Sequence, residues 1–299
     1  MWITLNRKIF YTFSLLLVIA SIVMVSVFGL KFGIDFTGGS IMEFTYTEES
    51  LDKAGVDVVL NNYDLGEYQL KETGNSGYIL KTRTISDDVK NAIQEELSVE
   101  GTKPLTIDRF NTVGPTLGDE LKTKTVIALV VLSLIIIMFI AYTFRGVSNP
   151  VSSWKYGLVA VIALVHDIII AVGFFALLGY TSGTEINTLF VTALLVILGY
   201  SINDTIVILD RVRENLKDKS DNYRENNFTE IVGISLRETI SRSINTSFTT
   251  LLALLALYFV GAESTKDFAL ALIVGVVVGA YSSIFIAAPL LVSFKKGKK

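Results

Sequence analysis

Residues Ile197–Asn215 read I-L-G-Y-S-I-N-D-T-I-V-I-L-D-R-V-R-E-N, an apolar run that ends in a strongly charged segment. Asp204 lies inside the apolar part. A carboxylate within a membrane helix costs roughly 2.5–3.5 kcal/mol, so it normally faces a partner or water. The stretch therefore predicts a membrane helix with a functional acid, and Asp204 is the first candidate for handling a proton.

The composition supports a membrane protein. Of the 299 residues, 51% are hydrophobic and 18% charged, and the mean hydropathy is +0.53, whereas about 25% of residues in soluble domains are charged. The absence of cysteine excludes disulfides, thiolate metal sites and cysteine nucleophiles. A single histidine argues against a zinc centre, so we expect neither a metal nor an organic cofactor.

Six stretches are long enough to cross a bilayer core, which takes about 20 apolar residues. The predicted spans are residues 9–30, 125–144, 156–178, 186–209, 243–260 and 268–294. Residues 1–30 then form a cytoplasmic N-terminus and an uncleaved first span, residues 31–120 a polar domain, and residues 121–299 a five-helix membrane domain. Within the last part, residues 210–242 are predicted to be a cytoplasmic loop that carries a short amphipathic helix on the inner membrane face.

The charges predict the orientation of these spans. Residues 31–120 hold 8 Lys and Arg against 17 Asp and Glu, while the rest of the chain holds 18 against 12. The basic residues cluster before the first span, between the second and third, between the fourth and fifth, and after the sixth. Because basic residues stay on the cytoplasmic side, both termini are predicted to be cytoplasmic and residues 31–120 extracytoplasmic.

The polar segment reads as a small α+β domain. Strands are predicted at 40–46, 67–72, 78–84 and 105–112, and helices at 49–63 and 86–97. The second helix begins with the capping residue Ser86 followed by two acids. The order β-α-β-β-α-β is that of the ferredoxin-like fold.

Several motifs along the chain closely resemble the SecF family, membrane subunits of bacterial Sec protein export that belong to the SecD/SecF family of RND-type transporters. The matching segments are Phe32–Ser40 (F-G-I-D-F-T-G-G-S), Val113–Pro115, His166–Asp167, Gly199–Thr205 (G-Y-S-I-N-D-T), Asp210–Asn215 (D-R-V-R-E-N), Arg242 and Thr246–Ser247. They cover essentially the whole chain in the family's order.

The resemblance implies a six-span, multi-pass protein of the bacterial cytoplasmic membrane. It implies SecD as a separate partner chain, because this chain is too short to be the fused form. It also implies contacts with the SecYEG channel and its accessory proteins, with the exported unfolded polypeptide and with membrane lipid. The implied role is to use the proton gradient to promote late, ATP-independent stages of export. Whether protons or sodium ions are coupled stays open.

The resemblance implies that Asp204 and Arg242 couple ion movement, with a further acid on SecD. Arg242 enters the fifth span from the cytoplasmic side, at a depth where it can meet Asp204. Arginine does not release its proton at usable pH, so its predicted role is electrostatic control. The alternatives are that Asp204 reaches water at the inner interface and that Arg242 only anchors its span.

Other polar residues are predicted within the same spans. His166 and Asp167 lie near the middle of the third span, as a second proton site or as a helix-packing pair. Ser201, Asn203, Thr246 and Ser247 either line a hydrated path or form hydrogen bonds between helices.

The sequence contains no recognisable catalytic dyad or triad and no phosphate-binding loop. It is therefore predicted not to be an enzyme and not to bind nucleic acid. Two other functions stay open, a small-molecule exporter subunit of RND type and a non-catalytic scaffold of the translocation channel.

Overall fold

The structure, a computed structural model, describes residues 2–48, 50–74, 76–99, 101–145, 150–217, 219 and 221–295, without the side chains of residues 221, 222 and 224–226. The helices are α1 (Trp2–Leu5), α2 (Arg7–Phe28), α3 (Ile34–Thr37), α4 (Lys53–Leu60), α5 (Asp87–Leu97), α6 (Pro115–Thr143), α7 (Ser153–Ser182), α8 (Thr188–Lys217), α9 (Asp221–Val260), α10 (Glu263–Ser282) and α11 (Ala288–Ser293). The strands are β1 (Gly39–Tyr46), β2 (Gln69–Thr73), β3 (Gly77–Thr82) and β4 (Leu105–Val113), and a π-helical segment, Ser283–Ala287, joins α10 to α11.

The chain divides into two units, residues 32–126 and the remainder. In the part of the chain that the structure describes, six helical stretches are long and apolar enough to cross a membrane. This confirms the prediction of a six-span helical membrane protein with one α+β domain. Helices α7, α8 and the α10–α11 stretch bury about half of their most apolar windows, against 11% for α2, α6 and α9. The first three therefore form the centre of the helical unit.

The helices extend beyond the predicted spans. Helix α6 begins at Pro115, ten residues before the predicted second span, and α8 continues to Lys217. Most of residues 210–242, predicted to be a loop, is therefore helical, with the two long helices α8 and α9 on either side of residues 218–220.

The prediction of a helix on the inner membrane face is wrong, because the apolar side chains of this segment pack within the protein. Its apolar side chains, Phe228, Ile231, Val232 and Leu236, belong to α9 and are buried in one cluster with apolar side chains of α8, Leu209, Val212 and Leu216. The apolar stripe of this segment is thus covered by the chain itself rather than by lipid.

The smaller unit has the ferredoxin-like fold. Its antiparallel sheet has the strand order β2-β3-β1-β4, and α4 and α5 supply part of a core that includes Phe44, Leu80 and Ile93. Ser86 caps α5 as predicted, since its hydroxyl accepts a hydrogen bond from the Val89 amide at 3.4 Å. The order of strands and helices agrees with the sequence prediction.

Gly38 and Gly39 are needed where the chain enters β1. Their φ angles are +74° and +135°, which favour glycine. A Cβ atom on Gly38 would lie 2.9 Å from the Pro115 Cα atom, and one on Gly39 would lie 2.6 Å from the Thr82 carbonyl oxygen. The two glycines therefore allow the start of β1 to approach the start of α6 and the end of β3.

Candidate functional site: two buried acids in the helical unit

Asp167 lies on α7 and is 1% exposed. Its Oδ2 atom accepts hydrogen bonds from the Ser201 hydroxyl of α8 at 2.5 Å and from the Ser282 hydroxyl of α10 at 2.9 Å. Its Oδ1 atom lies 3.0 Å from the Nδ1 atom of His166. This carboxyl group thus holds three helices together at one level of the helical unit.

His166 is also buried, with 6% of its surface exposed. Its Nε2 atom has no hydrogen-bond partner among the described residues. The imidazole ring stacks on Tyr281 of α10, with ring centroids 6.3 Å apart. His166 and Asp167 therefore form a pair, as predicted for two adjacent polar residues in this span.

Asp204 lies on α8, three residues after Ser201, and is 4% exposed. Among the described residues, its carboxylate accepts one hydrogen bond, from the Ser247 hydroxyl of α9 at 3.5 Å. The Tyr200 hydroxyl lies within reach of the same region, 3.5 Å from Ser247 Oγ and 3.3 Å from Thr250 Oγ1. Asp204 is thus a buried acid that is held weakly, at the contact of α8 with α9.

The structure does not bring Asp204 and Arg242 into an ion pair. Arg242 is exposed and forms no ion pair within 4.0 Å with Asp204 or any other described residue. The meeting of the two groups that the sequence predicts is therefore not present as a direct contact.

A cavity of about 340 Å³ lies between the C-terminal part of α8 and the middle of α9. Its lining residues are Val207, Asp210, Arg211, Glu214, Glu238, Thr239 and Arg242. Arg211 is engaged by two carboxylates, at 2.7 Å from Glu238 and 2.5 Å from Glu214. Val207 is one turn from Asp204 along α8, so the cavity ends one helical turn from the buried acid.

The other predicted polar residues are placed differently from one another. Ser201 and Ser247 are buried and contact the two acids. Asn203 is exposed, and Thr246 is half-buried with its hydroxyl bonded to the Arg242 carbonyl oxygen at 2.9 Å. Of the four residues, only the two serines contribute directly to the acid sites.

The sixth span contributes two serines that were not predicted as site residues. The Ser283 hydroxyl lies 2.8 Å from the Thr205 hydroxyl of α8 and donates to the Ser201 carbonyl oxygen at 3.4 Å. The neighbouring Ser282 is the residue that contacts Asp167. The available signal was the Ser282-Ser283 pair six residues before Pro289 in an apolar run.

Pro289 accounts for the π-helical segment that precedes it. Proline has no amide hydrogen, and its ring clashes with the carbonyl group four residues earlier. The wider turn over Ser283–Ala287 accommodates this. π-Helical turns are frequent at functional sites, and here the turn begins at the serines that contact α7 and α8.

Among the described residues, no group of three or more His, Asp or Glu side chains could hold a metal ion. The helical unit therefore combines six candidate membrane spans with two buried acids, Asp167 and Asp204.

Comparison with known proteins identifies the family. Residues 93–297 match the family of the protein export membrane proteins SecD and SecF, C-terminal part, and residues 23–49 match the SecD/SecF GG motif. The chain therefore belongs to the SecD/SecF family of protein export membrane proteins. The second match includes Gly38 and Gly39, whose close contacts explain why the motif has two glycines.

Similar proteins include protein translocase subunit SecF of Anaerolinea thermophila, 36% identical over 98% of this chain and 94% of the relative. SecF of Thermobaculum terrenum is 40% identical over 97% of this chain and 92% of the relative. Among solved structures, SecDF of Thermus thermophilus, described as a translocon-associated membrane protein, matches 97% of this chain with a TM-score of 0.80 and 31% identity. This chain spans 38% of the length of that SecDF chain.

Proposed function

We propose that this chain is a subunit of the Sec translocase that acts with a SecD partner and uses the proton gradient in late, ATP-independent stages of protein export. The proposal is supported by relatives that are named protein translocase subunit SecF and that match nearly their full length. The SecDF likeness supports a SecD partner in particular.

The main support for proton coupling is the environment of Asp204. Its side chain is buried, and its one hydrogen bond among the described contacts is long, at 3.5 Å. A buried carboxylate that few donors stabilise takes up a proton more readily than one fixed by several strong hydrogen bonds. Asp204 is therefore the acid that changes its charge during the cycle.

Arg242 sets the electrostatic field at Asp204. It lines the same cavity as Val207, which is one turn from the acid on α8, and it forms no ion pair with the described acids. A movement of α9 along α8 changes the separation of the two groups and with it the proton affinity of Asp204. The cavity is the route by which water reaches this point, and protons are the coupled ion.

The charges support the placement of the chain in the bacterial cytoplasmic membrane. Residues 31–120 carry an excess of nine acids over basic residues, which agrees with an extracytoplasmic domain and cytoplasmic termini. In this arrangement the ferredoxin-like domain is positioned to meet an exported, unfolded chain that leaves the SecYEG channel.

The substitution Asp204→Asn tests this function. The amide cannot bind and release a proton, so we expect the gradient-dependent part of export to be lost, while copurification of the variant with SecD stays unchanged. Export of a secreted precursor by membrane vesicles, with and without a proton gradient, gives the measurement.

A matched control is Asp64→Asn, the same chemical change at a carboxylate whose side chain is 80% exposed. It should export like the unmodified chain. If Asp204→Asn also exports normally while deletion of the chain does not, the chain is a scaffold of the channel and the coupling proposal is wrong.

A further inference from the structure

His166 has an open ring nitrogen in a buried place. Its Nε2 atom is buried and has no hydrogen-bond partner among the described residues, although buried polar atoms are paired in the great majority of cases. The other ring nitrogen, Nδ1, faces the Asp167 carboxylate at 3.0 Å. The imidazole is therefore fixed at one nitrogen and open at the other.

Asp167 is engaged through both of its oxygen atoms. One faces His166, and the other accepts from the hydroxyl groups of Ser201 and Ser282. With the imidazole hydrogen on Nδ1, all three groups donate, which fits an ionised carboxylate. A proton that arrives at this pair thus finds its open position on Nε2 rather than on the carboxylate.

The net charge of the His166–Asp167 pair depends on whether Nε2 holds a proton. With Nε2 unprotonated, the pair carries a charge of −1 in a buried layer of membrane helices, which is costly. One proton on Nε2 makes the pair neutral, as an imidazolium beside a carboxylate. We propose that His166 and Asp167 form a proton-binding site of their own, which is loaded and unloaded through His166 Nε2.

The groups around the pair come from α10, α2 and α8. Helix α10 contributes Tyr281, whose ring stacks on His166 and whose hydroxyl lies 3.1 Å from the Ser14 hydroxyl of α2. Helix α8 contributes Ser201 and, one turn along the helix, Asp204. The titratable groups near the pair are therefore Tyr281 and Asp204, and neither hydrogen-bonds to the imidazole.

Loading the site changes more than a local charge. The Ser282 and Ser201 hydroxyls share the carboxylate with His166, and a charged imidazolium competes with them for it more strongly than a neutral imidazole does. Ser282 is directly followed by the π-helical segment. The site thus connects one proton to the packing of α10 against α7 and α8, and it does so whether or not Asp204 drives export.

The single histidine of the chain makes a direct test possible. Labelling the full chain with ¹⁵N-histidine gives one imidazole, and its two nitrogen resonances report the protonation of Nδ1 and Nε2 separately. Across a pH titration in lipid, we expect Nδ1 to stay protonated and Nε2 to gain a proton as the pH falls. No change at either nitrogen, or a change at Nδ1 instead, would overturn the proposal.

Two variants test the pairing. In Asp167→Asn the negative partner is lost, and the pH range of the Nε2 change should move by at least about 1 unit. In Tyr200→Phe, which removes a hydroxyl on the α9 side of α8, the titration should match that of the unmodified chain. An unchanged range in Asp167→Asn would show that the carboxylate does not take part. Because the readout is protonation rather than export, its failure is distinct from a failure of the proposed function.

Discussion

Asp167 and Asp204 are both nearly inaccessible to water, but their carboxylates are held very differently. Asp167 has contacts from three side chains on three helices, whereas Asp204 has one contact at 3.5 Å. A strongly bonded carboxylate resists protonation more than a weakly bonded one. At the residue scale, Asp204 is the acid proposed to take up a proton itself, whereas the proton of the Asp167 site is proposed to bind the neighbouring histidine.

Arg242 gives a prediction at the same scale. If it acts only through its charge, Arg242→Lys should keep most of the gradient-dependent export, while Arg242→Gln should lose it. Lysine keeps the positive charge but not the planar guanidinium group that makes paired hydrogen bonds. The ratio of export with and without the gradient is the measurement.

The opposite result for Arg242 would also be informative. If the lysine variant is as defective as the glutamine variant, the guanidinium geometry matters and Arg242 makes a direct contact with a carboxylate of a partner. In that case the proposed electrostatic role is wrong.

Which single residues could be predicted depended on how unusual they were for a membrane helix. Asp204, Asp167 and His166 are costly in lipid, so the sequence identified them. Ser282 and Ser283 are not costly, because a serine in a membrane helix satisfies its hydroxyl on its own backbone. Their contacts with α7 and α8 depend on helix rotation, which the sequence of one chain does not contain.

At the scale of the elements, close packing of helices depends on particular glycines. A Cβ atom on Gly173 of α7 would lie 2.3 Å from Ser21 Cβ and 2.5 Å from Ser21 Cα of α2. Gly275 and Gly279 of α10 similarly face Ile197 and Ser201 of α8. These positions let the helices carrying the acid sites approach one another.

Gly173→Ala should therefore destabilise the helical unit by about 1–3 kcal/mol, since the added methyl group meets backbone as well as side chain. Thermal unfolding of the purified chain in detergent measures this. The matched control is Gly199→Ala, where nothing lies within 4 Å of the added Cβ atom. It should leave stability unchanged or raise it by up to about 1 kcal/mol. Equal stability of the two variants would contradict the packing argument.

The ends of the long helices were predictable only where a helix ends together with its apolar run. The predicted spans lie within or close to α2, α7 and α8, but α8 and α9 continue beyond the predicted spans because their apolar side chains cover each other. Hydropathy measures the length of an apolar run, and it does not register a helix that continues as a packed pair. The strands of the small domain were predictable because their alternating pattern and turns are local.

At the scale of the whole molecule, the orientation in the membrane rests on charge alone and is open to direct measurement. The chain has no cysteine, so a single introduced thiol reports its side of the membrane. Val58 of the ferredoxin-like domain and Trp2 near the N-terminus are 66% and 65% exposed. A membrane-impermeant maleimide should label Val58→Cys in right-side-out vesicles and Trp2→Cys in inside-out vesicles. Labelling of both from the same side would contradict the proposed topology.

The role proposed for Asp204 requires that protons cross the membrane by way of its carboxylate. The collapse of an imposed proton gradient can be followed with a pH-sensitive dye inside liposomes that contain this chain with SecD. We expect the complex to speed the collapse, Asp204→Asn to remove the increase, and Asp64→Asn to leave it unchanged. Equal rates for the unmodified and Asp204→Asn complexes, or a flux through Asp204 with sodium but not with protons, would contradict the proposed role.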